Sequence, residues 1–589
     1  MEKLLIPNKA KNDVASYTIL INGNETDPAY KLMSLSILKE VNRVPVARLI
    51  FSDGDAAKRS FEISNKNDFI PGNKIQINLG RDSKNKKAFK GIVIKHAVKV
   101  KANGHTQFLV ECMDECVKMT IGRHSRYFPA GKDNDVFDEL AGNYSLKMDS
   151  EPTKLKHEQL VQHHISDWDF MLLRAEANGM LVLVNDGEIK IAKPGIQSTE
   201  ALQVNYGSSI LEYESEIDAR NQFKNVHATS WDYANQQLFQ TDTSSVSFTE
   251  HGNISGVDLA KAASPENFEL HHSGHKLEQE LQDWSDGLLL RSRLSKIRGR
   301  VRSIGFAEIK PGDTLKITGI SDRFNGKAFV TAVRQELGNG TWETQIQFGL
   351  DPECYALKHH DVIDPPSAGL VGAIKGLQIG IVVKLEGDPD GQDRIQVRIP
   401  VIDNNADGIW TRLASLDAGD KRGACFRPEI GDEVIVGFIN EDPRDAVIVG
   451  MVHSSKLPAP IPAKDANDEK GFTTRSKMHI SFNDETKTIK IDTPGGNSIT
   501  LDEKGKSIEI VDQSSNKITM KPAGISLESP KNIDIKAGAV LTLTGGTSLS
   551  IGAPSLSMKA DLDVSISGAT AKLSGKGPTE IKGLPVKIN

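Results

Sequence analysis

What this 589-residue chain lacks narrows it first. It has four cysteines, Cys112, Cys116, Cys354 and Cys425, too few for a disulfide framework at this length. Cys112 and Cys116 stand close together in FLVECMDECVKM, but no second ligand pair at zinc spacing lies nearby, so both read as ordinary buried thiols. Charge of one sign is also missing: the formal net charge of -6 gives no general attraction for nucleic acid or an anionic membrane. No stretch reaches the roughly 18 apolar residues of a membrane span. The few apolar residues before Pro7 are too short for a signal-peptide core, so no signal peptide and synthesis in the cytoplasm are expected, with export only by a dedicated machine. No Walker loop, Gly-x-Ser-x-Gly elbow or His-Glu-x-x-His is present. No catalytic residue, cofactor or metal site is therefore expected, and the chain reads as a non-enzyme.

The largest absence is at the C-terminus. From Asn483 to Asn589, 107 residues contain no Phe, Tyr, Trp, His, Arg or Cys. What is there is regular. Apolar residues recur in alternating pairs: Ile489/Ile491, Ile499/Leu501, Ile508/Ile510, Ile518/Met520, Ile525/Leu527, Ile533/Ile535, Leu541/Leu543, Leu549/Ile551, Leu556/Met558 and Val564/Ile566. The spacing of two within a pair is strand periodicity. Gly, Pro, Asn, Ser and Lys fill the gaps, which is turn chemistry. A flexible linker has no reason to keep such phase, so each pair is expected to lie on one short strand of a stacked needle. Two inward side chains per strand bury too little to offset chain ordering in one copy. Three intertwined copies would close an Ile/Leu core, giving a needle of roughly 50 Å at about 4.8 Å per layer.

The rest of the chain is punctuated differently. Residues from about Ser16 to Leu350 read as strand-rich with some helix, and SDWDFMLLRAEANGM reads as a helix capped by Ser166 or Asp167 and stopped by Gly179. FIPGNKIQINLG, from Phe69, and IKPGDTLKITG, from Ile309, share Pro-Gly-x-x-apolar-x-Ile. An aromatic-x-Gly turn is expected after each, at Phe89-Lys90-Gly91 and Phe324-Asn325-Gly326. A strand, a Gly turn (Gly104; Gly338 and Gly340) and an aromatic-bearing strand follow in both copies. This is the pattern of a duplicated β-barrel module. After a Pro/Gly-rich linker, short alternating strands from Leu377 to about Val452 suit an OB-type barrel. Residues 375–455 carry nine Lys plus Arg against fourteen Asp plus Glu, with few aromatics, which argues against strand-type nucleic-acid binding. Pro458, Pro460 and Pro462 then mark a semi-rigid spacer.

Two local clusters read as structural. His271, His272 and His275 lack a matching acid for a zinc site and read as a polar loop. Asp388 to Asp393, DPDGQD, has part of the acidic spacing of a calcium loop but lacks the Gly and terminal Glu at the EF-hand positions, and reads as a hairpin turn.

Taken in order, these parts resemble the VgrG (valine-glycine repeat) spike family of type VI secretion and related contractile injection systems, and the hub and needle of contractile phages. RPEIGDEVIVGFINEDPRDAVIVGMVH, Arg427 to His453, resembles the family's OB signature, and SDWDFMLLRAEANGMLVLV its hub helix. TEIKGLPVKIN, Thr579 to Asn589, resembles its needle tip. The resemblance implies a mainly β fold: a hub over residues 1–365 with two tube-like modules, an OB domain over 375–455, a linker over 456–470, and an intertwined trimeric β-helix needle over 471–589. It implies a homotrimer that adapts a hexameric inner tube to the needle. The other implied partners are baseplate proteins, a PAAR-type tip protein, effector cargo and, transiently, the target membrane, with no nucleic acid. Leu584, Pro585, Val586 and Ile588 fall where the tip protein would bind, and the alternating Ile/Leu/Met/Val pairs from Ile489 to Ile566 fall in the trimer core. The absence of needle histidines from Asn483 onward favours a separate tip protein over an iron-closed tip, and the end at Asn589 leaves no expected effector domain. A β-helical carbohydrate-active enzyme would need grooves with Arg and stacking aromatics, and a receptor-binding tail spike would need an aromatic-bearing terminal head.

Overall fold

The computed structural model describes residues 14–101, 106–243, 246–263 and 267–588. The expected turn residue Gly104 and the final Asn589 lie outside them. The N-terminal part is organised around a thirteen-stranded sheet. Its strands form where apolar residues alternate: in Lys74–Arg81, Ile75, Ile77 and Leu79 point into the core while Gln76 and Asn78 do not. One core gathers Leu35, Leu49, Phe51, Phe69, Phe89 and Phe108, and a second gathers Leu202, Val301, Leu315, Ile317, Ile346 and Phe348.

These two cores belong to the two copies of the sequence repeat. Lys74–Arg81, Lys84–Val100 and Thr106–Met113 pair in order, as do Thr314–Thr318, Gly326–Gly338 and Thr341–Phe348. The Pro-Gly turns repeat bond for bond. Gly72 N–H donates to Val93 O at 2.8 Å, and Val93 N–H returns to Asn73 O at 2.9 Å. Gly312 donates to Val330 O at 2.9 Å, and Val330 returns to Asp313 O at 2.9 Å. Both glycines sit at positive φ, +101° and +93°, where a side chain would be strained.

Two expectations are corrected. Phe89-Lys90-Gly91 is no turn: it lies inside Lys84–Val100, with Phe89 opposite Ile77. Ile317 instead faces Gly326, so the second aromatic-x-Gly precedes its strand and the two are not equivalent positions. Among the described residues neither copy closes as a barrel of its own. Gly326–Gly338 pairs antiparallel with Leu32–Glu40, which joins both copies into one sheet.

Between the copies sit a small α/β unit with its own core, around Phe137, Met171 and Val182, and a three-stranded sheet under the helix Glu278–Ser295. Ser166 caps Asp167–Ala177, its Oγ accepting from Asp169 N–H at 3.0 Å. Gly179 then meets Gly287 of the long helix with backbones nearly touching.

Gln378–Lys384, Ile395–Arg398, Ile409–Leu413, Ala446–Met451 and Glu433–Phe438 form a closed five-stranded barrel around Val382, Val397, Val434, Val436 and Ile448, as expected for an OB-type domain. Beyond it the chain takes a form different from a β-helix. Residues 469–528 make a seven-stranded antiparallel meander of five-residue strands, and residues 529–588 carry no strand. The physical reason is the one that composition gives: a lone copy has nothing to bury its paired apolar side chains against.

Candidate assembly surface

The meander folds because its turns are built for hairpins. Asn483 Oδ1 accepts from Thr486 N–H at 2.8 Å, Asp502 Oδ1 from Gly505 N–H at 2.7 Å, and Asp512 Oδ1 from Ser514 and Asn516 N–H at 2.8 and 2.9 Å. Lys487, Lys506 and Ser515 take left-handed backbone, as do Gly496 and Gly524. These turns hold every strand in one register.

The register writes two unbroken apolar columns on one face. The first runs Ile480, Ile491, Ile499, Ile510, Ile518, Leu527. The second runs Phe482, Ile489, Leu501, Ile508, Met520, Ile525. Each is a ladder of directly opposed side chains, the pairing that stabilises sheets. Yet the face is bare. Ile489 is 39% exposed, Ile499 39% and Ile510 38%. Of the polar residues between them, Thr519 is buried, Thr500 and Glu509 are half-buried and Lys490 is exposed. On the polar side Lys487–Glu503 (3.4 Å) and Lys490–Asp492 (3.6 Å) pair at the surface, and Lys470–Asp484 and Lys517–Glu509 do so too. Such pairs contribute little stability but keep that side wet.

The sequence-derived pairs from Ile489 to Leu527 therefore share one surface. Ile533, Ile535, Leu541, Leu543, Leu549, Ile551, Leu556, Met558, Val564 and Ile566 lie in the strandless stretch, all exposed, as do Leu584, Pro585, Val586 and Ile588. Sequence reading missed Ile480 and Phe482 because they precede the aromatic-free stretch. Their spacing of two, nine residues before Ile489, was the available signal. Phe472 and Phe426 were also missed. They stack at 5.4 Å and, with Arg475–Glu429 at 2.8 Å, tie the first meander strand to the OB domain.

The other candidates make local contacts. His271 Nδ1 lies 2.6 Å from Thr229 Oγ1, His272 bonds Gly274, and His275 packs on Tyr233. The Asp388 loop is closed by its own cation: Arg394 Nη2 lies 2.6 Å from Asp388, whose carboxylate also takes Gln392 N–H at 2.8 Å. Arg394 holds that carboxyl well below the usual range. Cys112 and Cys116 are buried, and burial pushes both thiols up. No helix among the described residues is long and apolar enough to cross a membrane.

Comparison with known proteins bears on the same regions. Residues 378–453 match the type VI secretion system/phage-baseplate injector OB domain. Residues 11–339, more than half of the chain, match the Alg8 N-terminal domain. The chain is similar to the type VI secretion system spike protein VgrG3 of Vibrio cholerae, 26% identical over 160 residues, 26% of this chain and 15% of that protein. It is 25% identical over 214 residues to spike protein VgrG1b of Pseudomonas aeruginosa, 34% of this chain and 28% of that one. The matched stretches thus span less than a third of either relative. Among solved structures, the 43 kDa tail protein of prophage MuSo2 from Shewanella oneidensis aligns with a TM-score of 0.44 at 9% identity, covering 57% of this chain and 98% of that one. A type VI secretion component of Escherichia coli aligns at 0.37 and 12% identity, covering 74% and 99%. The chain belongs to the Alg8 N-terminal domain family, whose model covers residues 11–339, and its barrel matches the type VI secretion system/phage-baseplate injector OB domain, which together with the curated relatives makes it similar to the VgrG spike proteins.

Proposed function

We propose that this chain is the central spike of a contractile injection machine, working as three copies whose needles close over one shared core. The observation that carries the reading is the bare double ladder. Its twelve side chains would each gain on the order of 1 kcal/mol by losing their remaining exposure. That is on the order of 10 kcal/mol per copy, enough to outweigh the several kcal/mol that association costs. A face this apolar on a folded chain marks an interaction site. Three copies suit it, because each short strand brings only two side chains per layer and a closed prism needs three sides.

In this reading the mechanism is mechanical and non-enzymatic. The hub seats on a hexameric inner tube, with two modules per copy giving six similar contacts. The OB domain and its Phe426–Phe472 joint pass axial force to the needle, and the needle continues through residues 529–588, whose apolar pairs keep the same phase. Leu584, Pro585, Val586 and Ile588 receive a tip protein, while baseplate proteins and effector cargo are carried by the assembled particle and the target membrane is met only in firing. Negative-stain electron microscopy of the purified full-length chain tests this. A ring-shaped head bearing one shaft of about 50 Å or more is expected, and single heads with no shaft would overturn it.

A further inference from the structure

The second copy of the repeat carries a cleft that the spike reading leaves unused. It encloses about 680 Å³ and is lined by residues of Thr314–Thr318, the start of Gly326–Gly338, and the loops 196–198 and 247–252. Its wall holds a pair of like charges. Lys316 and Lys327 stand directly opposite each other across the antiparallel pairing of the two strands. Like charges so placed repel and weaken a sheet. One carboxylate is shared between them: Glu200 lies 3.1 Å from Lys327 and 3.6 Å from Lys316. Lys327, and Lys316 after it, hold that carboxyl below its usual range. Two cations on one acid leave one positive charge over, on a chain whose net charge is -6.

The one acid among the lining residues does not cancel that surplus. Glu250 lies 2.6 Å from Lys296 and 3.4 Å from Arg293, and accepts from Gly256 N–H at 2.7 Å. Its charge is thus met from the protein side. Burial favours the uncharged form of Lys296, so the surplus facing the cleft is that of the opposed lysines. Their side chains are 35% and 32% exposed, within reach of a ligand but partly withdrawn from water. Attraction for an anion is stronger there than at an open surface.

The rest of the cleft is polar in a different way. Ser198, Ser247 and Thr249 are exposed along it, while Ile196 and Phe248 give it a half-buried apolar wall. The volume lies in the range of small-molecule sites, more than a bare inorganic anion fills. Hydroxyls around a basic pair match the hydroxyls of a polyol around its phosphate, and phosphate oxygens take charge-assisted bonds from lysine.

We infer that the cleft binds a phosphorylated sugar, with its phosphate on Lys316 and Lys327 and its hydroxyls on Ser198, Ser247 and Thr249. The site uses no residue of the apolar ladder, so it stands or falls apart from the three-copy reading. Titration calorimetry of the full-length protein with α-glucosyl phosphate, inorganic phosphate and glucose tests it. The sugar phosphate is expected to bind about tenfold tighter than inorganic phosphate, the gain of one or two hydrogen bonds, and glucose alone to give no heat of binding. Lys316→Gln and Lys327→Gln should each weaken the sugar phosphate by roughly ten- to a hundredfold. Lys58→Gln, at an exposed lysine of the first copy's side of the hub, should leave it unchanged. Because either cleft variant also frees Glu200, the wild type gives a second reading. Acetylation of Lys316 and Lys327 by acetic anhydride, followed by mass spectrometry, should fall several-fold when α-glucosyl phosphate is present, while that of Lys58 stays the same. Equal affinity for the two phosphates overturns the sugar assignment. No binding of either, or unchanged acetylation of both lysines at the highest ligand concentration, overturns the site.

Discussion

At the residue scale, close approach and burial decide more than residue class. A Cβ on Gly287 would sit 2.7 Å from the Gly179 Cα, and one on Gly179 2.8 Å from Gly287. Backbone cannot yield as a side-chain tip does, so Gly287→Ala is expected to lower hub stability by about 2 kcal/mol, read as an earlier thermal transition. His251 gives the hub an acid limit. Burial holds its imidazole down to about 4, Lys296 adds to the effect, and its contact with the Phe324 carbonyl at 2.8 Å opposes it. Its neutral form is therefore part of the fold. The unfolded chain takes the proton near pH 6.5, and the folded one only near 4. Stability from this residue is complete above about pH 6.5 and falls as pH drops through that window, by up to about 3 kcal/mol. His251→Gln should flatten the difference in denaturant midpoint between pH 7 and pH 4.5, and an unchanged difference rules His251 out as its source. Neither effect was legible in sequence: His251 sits in an unremarkable loop, and Gly179 was read as a helix stop with no sign of what it touches.

At the scale of elements, the C-terminal pairs were legible because period two survives without any alignment. Each pair from Ile489 to Leu527 falls on one strand of the meander. The sequence repeat was legible through its Pro-Gly turns, which need positive φ, but not through its aromatics, since Phe89 is a core residue in mid-strand and marks no turn. Strand partners were out of reach. Whether short strands pair as hairpins within a copy or wrap between copies depends on what covers the apolar face, and that is set outside the single chain. Leu501→Asp puts a carboxylate into one ladder column. In three copies three charges would meet in one layer, each costing several kcal/mol unpaired. Loss of assembly is expected, with the OB and hub transitions unchanged. Leu501→Met, similar in volume, should assemble normally. An Asp variant that assembles with wild-type thermal stability removes Leu501 from the core.

At the scale of the whole molecule, apolar surface is distributed in an uneven way. The N-terminal sheet fills two cores and the OB barrel one of its own, whereas the C-terminal meander leaves most of its apolar ladder on the outside. A chain selected to act alone has no use for such a face. Native mass measurement of the full-length chain, wild type beside Leu501→Asp, decides the matter. Three chain masses for the wild type, persisting on dilution, and one for the variant are the expected pair. A wild type that stays at one chain mass, or a variant that trimerises as the wild type does, removes the ladder as the surface on which the proposed assembly is built.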